Sequence, residues 1–443
     1  MNGPSPRFPK TIPIVIVFLF ALVRSAFSSG DINTIYQEAM AGEPEAQFDL
    51  GTAFDQGKGT PQGSGEAVKW YRRAAEQGHA GAQYNLGIAY HQGKGIRYDG
   101  GEAVKWYRKA AEQGYADAQY NLGRSCYAGW GVPKNYARAV KWFRKAAEQG
   151  HAGAQYNLGD SYNNGHGIPQ NRTEAVKWYR MAAVQGHADA QYNLGIAHDQ
   201  GKGVPQDNVE ALMWYRKAAE QNHMGAQIRL GAAYRQGQGV PQDYAESMKW
   251  YRKSAEQGDA ESQFILGYAY TKGEGVPQDY AEALEWYRKA AEDGHPGAKN
   301  NLGVAYANWR GVPKDHVKAL KWYGEAAEQG DFGAQFNLGV AYEKGLGVSR
   351  DYAAAREWYR KAAEQGLAQA QFNLGDLYYN GLGIWKDNFL PYILYSLSAS
   401  NSTSEEHDRP AKARDRVARE LTPEQLLDAP RMIQEWEAKH TMM

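Results

Sequence analysis

The sequence predicts an all-α chain, a solenoid of about ten 36-residue helix-turn-helix repeats, and three observations carry that reading. The glycine of a Leu-Gly pair stands at Gly51, Gly87, Gly123, Gly159, Gly195, Gly231, Gly267, Gly303, Gly339 and Gly375, each 36 residues after the last. A tryptophan keeps the same step at Trp70, Trp106, Trp142, Trp178, Trp214, Trp250, Trp286, Trp322 and Trp358. No insertion breaks either ladder, which is the mark of stacked supersecondary units rather than of one globular core. Within each copy the apolar residues recur at helical spacing, as in Ala82, Leu86, Ala89 and Tyr90. A length of 443 residues would ordinarily suggest several domains, but a solenoid grows by copies, so one elongated domain is expected.

At the N-terminus, Arg7 and Lys10 precede an apolar run from Ile12 to Val23 and small residues ending near Ser28. That pattern predicts a signal peptide over residues 1–28. The run is shorter than the roughly 20 residues that cross a bilayer as a helix, so membrane contact is expected only through this segment if it stays uncleaved. Export to the periplasm or medium of a bacterium follows, or to the endoplasmic-reticulum lumen or medium of a eukaryotic cell. Basic and acidic residues balance at 50 each, and loss of the leader would leave a net charge near −3. Nucleic acid is therefore not expected as a partner. Cys126 is the sole cysteine, so no disulfide can form within the chain and stability rests on packing.

Residues 31–42 keep a terminal glycine, Gly42, but carry Thr34 in the tryptophan register, which suits an N-terminal capping helix. Residues 43–400 hold the repeats. In each, a first helix such as Ala82–Gln92 should close on a left-handed glycine, here Gly93. A second helix, Glu66–Gln77 in the first full copy, places Ala67, Val68, Trp70, Tyr71, Ala74 and Ala75 inward and Lys69, Arg72, Arg73 and Glu76 outward. The linker supplies turn glycines, a proline and a capping aspartate. Asp207 with Glu210, Asp243 with Glu246, and Asp279 with Glu282 spell capping boxes. A helix-interior glycine costs about 1 kcal/mol, so the glycine ladder needs compensation. Burial of the tryptophan beside it is the expected source. Residues 401–443 should form capping helices, the second starting at Thr422, Pro423 and Gln425.

The recurring pattern, read for example in Ser262–Gly294 (SQFILGYAYTKGEGVPQDYAEALEWYRKAAEDG), resembles the Sel-1-like repeat, a relative of the tetratricopeptide repeat. The resemblance covers roughly residues 31–400. It implies a right-handed α/α superhelix that acts as an adaptor or scaffold for proteins or peptides, in the endoplasmic-reticulum lumen for eukaryotic relatives and often in exported form for bacterial ones. It implies no shared reaction. Some cysteine-rich relatives have been associated with penicillin-like compounds, but the paired cysteines that mark them are absent.

Against this constant frame some positions drift. The residue after the Leu-Gly pair reads Thr52, Ile88, Arg124, Asp160, Ile196, Ala232, Tyr268, Val304, Val340 and Asp376. Beside it on the helix runs a recurrent asparagine, at Asn85, Asn121, Asn157, Asn193, Asn301, Asn337 and Asn373. Both lie away from the leucine stripe and would line the inner, concave side of the superhelix. Amides donate and accept, so this strip suits an extended peptide backbone, with Arg124, Asp160, Tyr268 and Asp376 setting specificity. The same asparagines would equally serve by bonding neighbouring repeats. Three tryptophans outside the register, Trp130, Trp309 and Trp385, sit in loops, where they would anchor a rim or fold back on the adjacent repeat.

Other motifs have structural explanations. His79, His151, His187, His223 and His295 share one loop position, but neighbouring repeats stand roughly 8–10 Å apart, too far for one metal ion. Gly57-Lys58-Gly59 lacks the strand of a phosphate loop. Cys126 falls in a slot held by Tyr90 one copy earlier, as a core thiol would. No catalytic constellation emerges, and no metal or cofactor is expected. The function predicted is an exported scaffold binding a protein or peptide through its first-helix surface. A structural component of an envelope assembly, or a secreted host-interacting factor, is the alternative, and a hydrolase ranks behind both.

Overall fold

A computed structural model describes residues 29–308, 310–402 and 408–440; the predicted leader and Trp309 lie outside them. Among the described residues every regular element is a helix, and helix α1 (Ser29–Ala41) precedes ten helix pairs. The pairs are α2 (Pro44–Gln56) with α3 (Ser64–Glu76), α4 (Ala80–Gln92) with α5 (Gly100–Glu112), and α6 (Ala116–Ala128) with α7 (Tyr136–Glu148). Next come α8 (Ala152–Asn164) with α9 (Arg172–Val184), α10 (Ala188–Gln200) with α11 (Asn208–Glu220), and α12 (Met224–Gln236) with α13 (Tyr244–Glu256). Then follow α14 (Ala260–Lys272) with α15 (Tyr280–Glu292), and α16 (Pro296–Asn308) with α17 (His316–Glu328). The last two pairs are α18 (Phe332–Lys344) with α19 (Tyr352–Glu364), and α20 (Ala368–Asn380) with α21 (Phe389–Asn401). Helices α22 (Asp408–Ala418) and α23 (Pro423–His440) end the chain. The fold is thus an all-α solenoid of 36-residue helix pairs. Of the described residues, those from 29 to 190 together with Lys202–Val204 form one compact unit; Gln191–Gly201 and those from Pro205 onward form a second.

The punctuation read from the sequence is present in the backbone. Gly93 closes α4 with φ of 69°, and its N–H bonds the carbonyl of Ala89. Asp243 opens α13 by accepting from the Glu246 N–H at 2.9 Å. The reciprocal half of the capping box takes a different form: Glu210 and Glu282 accept from the indole N–H groups of Trp214 and Trp286, at 2.9 and 3.0 Å. At the third box Glu246 pairs instead with Lys249 at 2.8 Å, and the buried Trp250 indole N–H has no hydrogen bond. At the C-terminal end the box is reciprocal, since Thr422 N–H donates to Gln425 Oε1 at 3.0 Å and Gln425 N–H to Thr422 Oγ1 at 3.3 Å. Helix α23 runs for 18 residues, longer than a short cap.

The packing corrects one expectation. The aromatic ring on the Leu-Gly glycine belongs to the tyrosine of the Trp-Tyr pair, not to the tryptophan. A methyl group added at Gly267 would stand 2.6 Å from two ring carbons of Tyr287, and one at Gly87 2.6–2.7 Å from Tyr107. The tryptophan, one residue away on the helix, turns toward the preceding repeat: Trp286 packs with Met248, Tyr251 and Ala255 of α13 as well as with Leu266 and Ala269 of α14. The repeat of α14 and α15 therefore uses one aromatic to close its own helix pair and the other to hold its neighbour.

A second ladder, of glutamines, was not singled out in the sequence. In the first unit the side chain of Gln113 donates to Gln83 at 2.8 Å, and buried Gln83 donates onward to the Ala75 carbonyl of the preceding repeat at 3.1 Å. In the second unit Gln257 meets Gln227 at 2.7 Å and Gln227 meets the Ala219 carbonyl at 3.2 Å. The chain of amides breaks where Asp293 replaces the donor, leaving the buried Gln263 Oε1 without a hydrogen bond. Restoring it with Asp293→Gln is expected to raise stability by about 1 kcal/mol. Denaturant melts would show this directly, and an unchanged or lower midpoint would contradict it.

Candidate functional site

The drifting positions converge on the tyrosine hydroxyls. Because the tyrosine ring crosses the Leu-Gly glycine, its hydroxyl emerges on the exposed face of the first helix of its pair. There it meets side chains of that helix: Tyr71 donates to Thr52 at 3.4 Å, Tyr215 to Asp199 at 3.2 Å, Tyr359 to Glu343 at 2.5 Å and Tyr395 to Asp376 at 2.7 Å. The hydroxyls of Tyr287 and Thr271 lie 3.2 Å apart. Thr52 and Asp376 follow the Leu-Gly pair directly. Asp199, Thr271 and Glu343 lie one turn further, a row missed in the sequence although it also drifts and shares the helix face.

The asparagine ladder approaches the same hydroxyls from the next repeat. Asn373 donates to Tyr359 at 3.1 Å, whereas Asn121 donates to Tyr84, on the first helix of the preceding repeat, at 3.5 Å. Asn337 instead donates to Asn300 at 2.9 Å. These residues tie repeats together, one of the two roles the sequence left open. Asn157 follows Phe143, which lacks a hydroxyl, and Asn193 is half-buried on α10. Burial keeps the tyrosines protonated and so able to donate: it raises the pKa of Tyr287 and, with the adjacent carboxylate Glu343, that of Tyr359. Burial also raises the Asp376 carboxyl, opposed by the bond from Tyr395 and the charges of Arg409 and Arg416.

In the second unit these residues line three hollows. The largest, about 1360 Å³, runs along α18, α20 and α22; its walls include Asn337, Val340, Glu343, Asn373, Asp376 and Arg416. A smaller hollow of about 210 Å³ holds Tyr268, Thr271, Tyr287, Asn301 and Arg310. A third, about 260 Å³, is lined by Asn337, Val340, Tyr323 and His316 among others. Five of the sequence-selected residues, Tyr268, Asn301, Asn337, Asn373 and Asp376, therefore face cavities. The large cavity exists because α22 stands beside α21 where a further repeat would begin its first helix, burying Val417 against Phe372 and Tyr395.

In the first unit Arg124 is exposed, with its guanidinium 5.7 Å from the Tyr120 ring and 5.4 Å from that of Trp130. Trp130 folds back on the preceding repeat, its ring 5.6 Å from His91. Asp160 is half-buried, and Asn164 donates to it at 2.8 Å. In the second unit, by contrast, Trp385 is 92% exposed. Cys126 is buried at 4% exposure, and burial pushes its thiol up, away from the reactive thiolate.

The histidine ladder caps first helices. His79, His151, His223 and His295 accept on Nδ1 from the N–H three residues on, at 3.0–3.2 Å. Among the described residues no group of three His, Cys, Asp or Glu side chains has the spacing of a metal site. His187 caps in the same way, and burial lowers its pKa from 6.5, with Asp189 opposing and His151 reinforcing the shift. The cap requires the neutral ring. Its stability is complete above about pH 6.5 and declines as pH falls from there through the lowered folded value. His187→Asn keeps an acceptor without a titration, so its melting temperature is expected to drop less than that of the native chain between about pH 7 and about pH 5. Equal drops would sink the assignment.

Comparison with known proteins places this arrangement. The Sel1 repeat model matches ten consecutive segments, residues 44–79, 80–115, 116–151, 152–187, 188–223, 225–259, 260–295, 296–331, 333–367 and 368–402. A protective antigen of uropathogenic Escherichia coli strains, solved with an SLR fold, is 36% identical, with TM-score 0.66 over 92% of this chain and 95% of its own. A Sel1 repeat protein from Oxalobacter formigenes is 35% identical, with TM-score 0.54 over 69% of this chain and 90% of its own. Comparison with curated proteins gives no match. With ten matched repeats and that identity along nearly the whole length, the chain belongs to the Sel1 repeat family.

Proposed function

We propose that this protein is an exported, non-catalytic scaffold that holds a protein or peptide segment along the exposed face of its first helices. The observation that carries this is the set of hollows in the second unit, where drifting residues such as Tyr268, Val304, Val340 and Asp376 stand beside the recurrent asparagines and tyrosines. A constant frame with variable lining is what segment-by-segment recognition needs. The polar groups there, Asn301, Asn337, Asn373 and the tyrosine hydroxyls, suit a peptide backbone. The leader-like residues 1–28 support export, as does similarity to a protein described as a protective antigen. The balanced charge favours a protein partner over nucleic acid.

The test is photo-crosslinking in cells of the native source, with the reactive amino acid placed at Tyr268 or Val340 on the first helices, or at Lys249 or Lys321 on the second helices. Adducts with a reproducible partner from the first pair are expected. Adducts confined to the second pair would overturn this reading in favour of an assembly component that works through its outer helices. N-terminal sequencing of the exported protein is expected to begin just after Ser28; a chain retained whole in the cytosol would refute export.

A further inference from the structure

The large cavity carries more than its shape. On α22, Arg409 and Arg416 face α20, and each guanidinium lies on an aromatic ring: Arg409 at 4.3 Å from the Phe372 centroid and Arg416 at 4.7 Å from that of Tyr379. Stacking fixes the plane of a guanidinium while leaving its N–H groups available for a bidentate partner. Lys344 on α18 and Lys412 on α22 also line the cavity.

The acidic residues of the same wall are already engaged. Glu343 accepts from Tyr359 at 2.5 Å, Asp376 accepts from Tyr395 at 2.7 Å, and Asp408 pairs with Lys412 at 3.4 Å. Asp376 is drawn electrostatically toward both arginines, yet its hydrogen bond goes to the tyrosine. The side-chain donors of Arg409 and Arg416 thus face a volume of about 1360 Å³ that is lined by Asn337 and Asn373 and is far larger than a single carboxylate requires. The volume accommodates several residues of extended chain.

We propose that this cavity binds an acidic peptide segment, with glutamate or aspartate carboxylates, or a chain-terminal carboxylate, held at Arg409 and at Arg416. The inference rests on the first-helix groove proposed above and specifies what that groove takes at its C-terminal end. The two arginines belong to a helix outside the matched repeats, so the cap supplies guanidinium groups that the repeat walls of this cavity lack. Val340 forms the opposite wall. It occupies the position after the Leu-Gly pair that Arg124 holds in another repeat, so an arginine at that position fits the fold.

The experiment uses the full chain and two fluorescein-labelled six-residue peptides, one of alternating alanine and glutamate and one of alternating alanine and glutamine, in anisotropy titrations at low and moderate salt. The glutamate peptide is expected to bind at least tenfold more tightly than the glutamine peptide, and more weakly as salt rises. Arg409→Gln with Arg416→Gln is expected to remove that tenfold preference, and Arg409→Lys to restore less than the native arginine. Circular dichroism melts of each variant keep loss of binding separate from loss of folding. Equal binding of the two peptides overturns the carboxylate assignment. Glutamate-peptide binding that survives the double arginine change but is blocked by Val340→Arg overturns it too, while leaving the groove intact. Failure of both peptides to bind anywhere overturns this inference together with the groove reading.

Discussion

Gly267→Ala is expected to destabilise the protein by about 2 kcal/mol, although alanine is the better helix former. The propensity gain is about 1 kcal/mol; the overpacking cost is about 3 kcal/mol, at the upper end because the ring in the way has no room to retreat. The new methyl would stand 2.6 Å from two ring carbons of Tyr287, which is only 4% exposed. The same substitution at Gly324, inside α17, meets no atom within 4 Å and is expected to stabilise by about 1 kcal/mol. Denaturant titrations of the two variants thus give opposite signs for one chemical change. A shared sign would show that the tyrosine does not define the glycine ladder.

Trp286→Ala is expected to cost about 3–5 kcal/mol, the usual penalty for deleting a large buried aromatic. The indole is 5% exposed, donates to Glu282 at 3.0 Å, and carries the Lys289 ammonium over its face at 4.1 Å. Because its ring packs on α13 of the preceding repeat, the loss falls on a junction rather than inside one repeat. In a one-dimensional array a weakened junction uncouples its two sides, so the thermal transition of this variant is expected to split or broaden. A single sharp transition at a lower midpoint would instead place the indole's contribution within its own pair.

The contrast between these two aromatics shows where the sequence stops being sufficient. Trp286 and Tyr287 share one 36-residue period and adjacent positions, and periodicity alone assigns both to the buried face of one helix. The direction each ring takes depends on the angle at which α14 and α15 cross, which no spacing reveals. The glutamine ladder escaped for a related reason: Gln227 and Gln257 look like solvent-facing residues at helix ends until the neighbouring helix covers the first of them completely.

For the candidate site, the drift at Tyr268 and Asp376 was legible because repeats serve as their own internal comparison. The partners of those residues were not. Asp376 meets Tyr395 across a helix pair, and Arg409 and Arg416 reach the same cavity from a segment that carries no repeat signal.

By itself the sequence determined the all-α class, the 36-residue unit, the alternation of two helices within it and the family, since all of these follow from local caps, turns and periodicity repeated without a gap. Only the tertiary structure decided which aromatic covers each glycine, which amides tie the repeats, and where the surface opens into a cavity. Those are contacts between residues on different helices, set by how rigid helices pack rather than by what any one helix prefers.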